Sequence, residues 1–173
     1  MNKIIFIIAL ILSTNIQAQR FIAKNGNILF FSKAPIEDIS AQNNKVSAVY
    51  DSDTKDLVFQ LSIIDFVFPN SLMQEHFNEN FLESDIYPKS TFSGKVIAQG
   101  LENTIVEGDL KIHGKTNKIK VEGSLKKENN TINILANFIV KLDDYDIKIP
   151  RLFFKNIAKD IDVEVNIQLK EIK

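Results

Sequence analysis

From Phe92 to Leu169 the chain repeats one pattern, apolar residues at every second position interrupted by short polar turns, and few folds accommodate it. Phe92, Gly94, Val96 and Ala98 share one parity, as do Val106, Gly108, Leu110 and Ile112, and again Ile119, Val121, Gly123 and Leu125. Ile132, Ile134, Ala136, Phe138, Val140 and Leu142 continue it, and Ile161, Val163, Val165, Ile167 and Leu169 alternate with Asp162, Glu164, Asn166 and Gln168. A period of two is that of a strand whose side chains point alternately to a buried and a wet face. Turn residues fall at 100–103, 114–117 and 127–130, too close together for helical crossovers, so the strands form an antiparallel meander.

The first half carries the same signal less cleanly. Residues 20–24 and 27–33 are short apolar runs separated by Asn25-Gly26, a pair that predicts a hairpin turn. Residues 34–44 are polar around Pro35 and read as a loop. Val46, Ala48 and Tyr50 alternate, residues 51–54 mark a turn, and Leu57, Phe59, Leu61 and Ile63 form the apolar face of the next strand. At Ile64 the phase slips by one, to Ile64, Phe66 and Phe68. Such a slip fits a β-bulge or a strand end buried on both faces. About nine candidate strands result, several of them roughly ten residues long. Strands of this kind remove their edges most simply by closing into an up-and-down barrel of about eight strands, with a two-sheet sandwich as the rival. Gly94, Gly108 and Gly123 favour the barrel, whose curvature demands bends.

One stretch breaks the sheet pattern. Ser71 and Gln74 have the spacing of a capping box, so a helix is expected over residues 71–84. Met73, Phe77 and Phe81 stand four apart with Leu72 and Leu82 beside them, opposite Glu75, Asn78, Glu79 and Glu83; one face is therefore apolar and aromatic. Pro88 ends the segment and turns the chain into the strand around Phe92.

The N-terminus reads as a signal peptide over residues 1–18, with nine apolar residues at 4–12 against the ~20 that a membrane-spanning helix needs. Residues 19–173 then form a single domain that is periplasmic or secreted and not membrane-spanning. At 45% hydrophobic and 25% charged residues the chain is globular rather than disordered, and a net charge of −1 leaves no basic footprint for nucleic acid. Without cysteine no disulfide can help, so the core alone must hold the fold.

Catalytic signals are sparse. His76 and Glu79 are spaced to share an ion on the helix, but no second pair accompanies them; His113 lies on the polar parity of its strand, where the Gly114 turn offers backbone partners. Asp143, Asp144 and Asp146 lack the glycine and closing glutamate of a calcium loop. No enzyme, cofactor or metal is expected. What stands out is apolar bulk, thirteen phenylalanines with no tryptophan, in a barrel just wide enough to be filled by its side chains or to hold one small ligand.

The run SLMQEHFNENFLESDIYPKSTFSG at 71–94, LKIHGKT at 110–116 and LDDYDIKIP at 142–150, in that order, resemble the YceI-like family of periplasmic polyisoprenoid-binding proteins. The resemblance implies a lipocalin-like barrel with a helix packed on it and an apolar tunnel for an isoprenoid-like or other lipid chain. Met73, Phe77, Phe81, Tyr87 and Phe92 would line or close that tunnel, with Leu110, Ile112 and, near the mouth, Tyr145. Phe59, Leu61 and Phe138, on the apolar faces of their strands, complete the expected ligand-binding set. The expected partner is thus an isoprenoid or other long-chain lipid; the oligomeric state is left open, a homodimer among the options. The alternative is a filled barrel acting as an envelope stress or protein-interaction module, and a continuous cavity of ~300 Å³ or more separates the two readings.

Overall fold

The computed structural model describes residues 19–33, 38–100, 103–149 and 157–172. The expected signal peptide at 1–18 and the Leu152-Phe153-Phe154 cluster lie outside the described residues. The strands are β1 (Arg20–Ser32), β2 (Ile39–Asp51), β3 (Asp56–Ser62), β4 (Lys89–Gln99), β5 (Thr104–Ile112), β6 (Lys115–Glu128), β7 (Thr131–Lys141) and β8 (Asp160–Ile172). Each pairs antiparallel with the next, and β1 pairs with β8 to close an eight-stranded barrel. The sandwich is thereby ruled out.

Three expectations for the first half need correction. Asn25-Gly26 makes no hairpin: β1 runs straight through it, with register shifts on either side of Gly26. The glycine is there for close approach, since a Cβ on it would stand 2.6 Å from Ile167 Cγ1. Residues 39–44 are strand rather than loop. Asn43 points into the core fully buried, and its side chain satisfies itself on backbone, donating to the Ser62 carbonyl (2.9 Å) and accepting from Lys45 N (2.9 Å). Finally, the phase slip at Ile64 is neither a bulge nor a strand end buried on both faces. A single 3₁₀ turn, Ile63–Asp65, follows β3, burying Ile63 and Phe66 while leaving Ile64 exposed.

Up-and-down connectivity gives the barrel two unlike ends. Among the described residues one carries short turns, and its interior is packed by Phe21, Tyr50, Ile132, Ile167 and Leu169, all at most 2% exposed. Outside this floor Asp51 organises the β2–β3 turn. Its Oδ1 accepts from Thr54 N (3.1 Å) and Asp53 N (3.0 Å) and its Oδ2 from Arg20 Nε (3.3 Å), and these bonds, the Thr54 amide foremost, hold its carboxyl below the usual carboxylate value.

The other end carries the long connections and is covered by the segment between β3 and β4. There α1 (Ser71–His76) starts at the expected residue, but the capping box that predicted it does not form. Asn70 is the cap, its Oδ1 accepting from Leu72 N (2.9 Å) and Met73 N (3.3 Å), while Gln74 Oε1 accepts from Phe68 N (3.2 Å) instead of closing a box with Ser71. The helix then widens into a π-type stretch, Phe77–Phe81, closed by Leu82 N donating to the Phe77 carbonyl (2.9 Å), so it stops short of the expected residue 84.

Candidate functional site

Between the packed floor and the helix the barrel is incompletely filled. A chamber of about 170 Å³ lies under the helix, walled by Met73, Phe77 and Phe81 from above and by Leu110, Ile112 and Phe138 from the strands. A second, of about 100 Å³, lies deeper, against Phe59, Phe92, Val106 and Val121. Both have Ile28, Leu61, Ser90, Leu110 and Phe138 in their walls, so they adjoin.

The walls are apolar in effect as well as in composition. Two serines face the larger chamber, yet Ser90 Oγ donates to the Lys111 carbonyl (2.9 Å) and Ser32 Oγ accepts from Ala158 N (2.9 Å). Each thus has one hydrogen bond engaged by backbone. Phe92 keeps its place in the deeper wall because Gly94 and Gly108, paired directly across β4 and β5, leave room for its ring: a Cβ on either would stand 2.6 or 2.7 Å from Phe92 Cζ. The roof is aromatic. Phe77 stacks on Phe30 (centroids 5.4 Å apart, planes at 22°), meets Phe66 edge-on (5.5 Å) and tilts against Phe68 (4.9 Å).

Of the residues singled out from sequence, Leu61, Met73, Phe77, Phe81, Leu110, Ile112 and Phe138 line the larger chamber, and Phe59 and Phe92 join Leu61, Leu110 and Phe138 around the smaller. Tyr87 and Tyr145 line neither. Sequence reasoning passed over Ile28, Phe30, Phe66 and Phe68. The last two were visible as an alternating pair after the Ile64 slip, and Ile28 and Phe30 alternate in the run it assigned to a hairpin arm.

The YceI-like domain profile matches residues 20–169. The chain belongs to the YceI-like family. No curated protein sequence matches it. Solved structures agree on the YceI-like barrel at low sequence identity. Burkholderia cenocepacia BcnA superposes with a TM-score of 0.73 at 14% identity, covering 83% of this chain and 95% of its own. A polyisoprenoid binding domain from Saccharophagus degradans, implicated in plant cell wall breakdown, gives 0.75 at 11%, covering 90% and 100%. The Campylobacter jejuni YCEI protein gives 0.67 at 20%, covering 82% and 90%. At these identities the likeness is one of fold.

Beside the chambers this YceI-like chain has a polar clasp that ties the helix segment to the rim. His113 sits at a left-handed turn (φ 49°) with its side chain 10% exposed, and instead of bonding within the Gly114 turn it reaches outward on both sides. Its Nε2 stands 2.7 Å from Glu83 Oε2 and its Nδ1 3.1 Å from the Tyr145 carbonyl, with the Tyr87 ring edge-on at 4.5 Å. An imidazolium donates to both acceptors at once; a neutral ring donates to only one. Next to it Lys115 pairs with Asp146 (2.7 Å), which lowers the pKa of Asp146 and raises that of Lys115. Tyr145 is buried at 2% exposure, and burial pushes its phenol above the ordinary value. Among the described residues no group of three His, Cys, Asp or Glu side chains stands close enough to hold a metal ion.

Proposed function

We propose that this YceI-like protein is a periplasmic or secreted binding protein that holds an isoprenoid-like or other lipid chain in its interior without transforming it. One observation carries the reading: two adjoining chambers with predominantly apolar walls, in which Ser32 and Ser90 each hydrogen-bond backbone and Gln60 and Thr91 are the other polar residues, both in the smaller chamber. The polyisoprenoid binding domain named among the structural relatives is consistent with it. An apolar cavity of ~150 Å³ takes up benzene, so about 170 and 100 Å³ together accommodate on the order of ten carbons, about two isoprene units. At ~0.8 kcal/mol per buried methylene that amounts to roughly 8 kcal/mol before ordering costs, which limits affinity to about micromolar.

The test is native mass spectrometry of protein isolated from its own envelope without detergent. A co-purifying lipid-chain mass supports the reading; a ligand-free spectrum that stays ligand-free after incubation with geraniol or decanol overturns it. The second reading, a largely filled barrel whose outer surface binds another protein, is favoured by one measure. Neither chamber, about 170 and about 100 Å³, reaches the ~300 Å³ at which ligand pockets usually begin.

A further inference from the structure

We infer that the ligand chain enters this barrel sideways, through a seam between β6 and β7, and not past the helix; the inference rests on the carrier reading. The two strands are paired only along part of their length. Their ladder runs from Glu128↔Thr131 to Gly123↔Ala136 and stops. Above that point β6 continues to Lys115 paired with β5 alone, and β7 continues to Lys141 paired with β8 alone. Had the register continued, Val121 would face Phe138, and Lys118 would face Lys141. Two like charges directly opposite oppose such pairing.

Burial changes where the ladder ends. Leu125 and Ile134, partners within it, are 8% and 6% exposed. Ala136, in its last pair, and Ile119, Val121 and Phe138, which point inward beyond it, are only half-buried, and burial returns at Val140 beside the 3₁₀ turn. These four line the smaller chamber, and Phe138 the larger as well. The seam therefore opens on the shared wall of the cavity system. Its upper limit is the 3₁₀ turn Leu142–Tyr145, tied to the β5–β6 hairpin by Asn117 Nδ2 donating to the Asp144 carbonyl (2.7 Å), by the His113 contact with the Tyr145 carbonyl, and by the Lys115–Asp146 pair. Between those ties and the Gly123–Ala136 pair, no backbone ladder has to break for a chain to slide in. Entry at the helix would instead separate the rings of Phe77, Phe30, Phe66 and Phe68.

The absence of native cysteine makes a clean test possible. Lys120 and Ile139 are exposed and flank the seam at positions that the continued register sets opposite. The double variant Lys120→Cys with Ile139→Cys is oxidised, or bridged by a short bismaleimide where the gap exceeds disulfide reach, and uptake and release of 1-aminonaphthalene, a ten-carbon fluorophore matched to the chambers, are followed by stopped-flow fluorescence. Both rates are expected to fall at least tenfold and, for the disulfide, to recover on reduction. The reference pair Lys126→Cys with Asn133→Cys, partners within the intact ladder, is expected to leave them unchanged. As a second measurement, a bulky maleimide on Ile139→Cys is expected to slow exchange, while the same group on Ile97→Cys, exposed on β4, leaves it alone. Unaltered rates in the clamped and the labelled seam variants overturn the side entrance and leave the carrier reading standing. A wild-type protein that takes up no probe overturns the carrier reading, and the entrance with it.

Discussion

Truncating Phe77 to alanine discriminates most sharply among the readings of the interior. A fully buried phenyl ring contributes about 1.5–3 kcal/mol by transfer alone. Phe77 is half-buried and one side of it faces an existing void, so about half of that is at stake. Its contacts with Phe30, Phe66 and Phe68 add at least ~0.5 kcal/mol each beyond area. The expected loss in the ligand-free protein is therefore about 3 kcal/mol, and with a urea slope of about 2 kcal/mol per molar the unfolding midpoint falls by roughly 1.5 M. Repeating the titration with geraniol at ~100 times its Kd should restore up to ~2.7 kcal/mol to wild type, and less to Phe77→Ala, whose wall is incomplete. A loss below ~0.5 kcal/mol, the size of an ordinary surface change, refutes the aromatic roof as a structural element. The full loss with no response of either protein to ligand refutes the carrier reading.

Two further outcomes follow from geometry. Because Asn70, not Ser71, caps α1, Asn70→Ala should cost about 1 kcal/mol in urea unfolding and Ser71→Ala a few tenths at most. Stability against pH should fall on both flanks. Asp51 and Asp146 are depressed in the folded state, so their contribution is present above the unfolded carboxylate value and lost as pH drops through the folded ones; Tyr50 and Tyr145 are raised, so theirs is present below about 10 and lost as pH climbs through the folded values. Replacing Asp146 with Asn should flatten the acid limb of the unfolding midpoint measured from pH 2 to 6.

The second half of the barrel was legible because each of its strands has one continuous apolar face, and period two cannot be mistaken over ten residues. Phe92, Leu110 and Phe138 could be assigned to the interior on parity alone. The first half hid its strands through its choice of inward residues. Asn43 occupies a core position with a side chain that reads as loop, since its hydrogen bond to the distant Ser62 carbonyl, which joins the local one from Lys45 N, is invisible in sequence. Gly26 occupies another, and beside Asn25 it carries the local signature of a turn although the neighbouring Ile167 is what requires it. The chamber walls were mostly recoverable, because inward parity and lining coincide. Tyr87 and Tyr145, expected at the tunnel, stand outside both chambers, since their contacts with His113 depend on where the helix segment and the 3₁₀ turn meet.

The packed floor formed by Phe21, Tyr50, Ile132, Ile167 and Leu169 makes the interior a dead end. A hydrocarbon lodged above it cannot thread through, so a long polyprenyl or acyl chain would be held by its last few carbons while the remainder stays outside. On the carrier reading, selectivity then falls on the shape of the chain's tip, branched or straight, and hardly at all on its total length. The same barrel would grip the end of a short alcohol and the end of a membrane-length lipid with nearly equal strength.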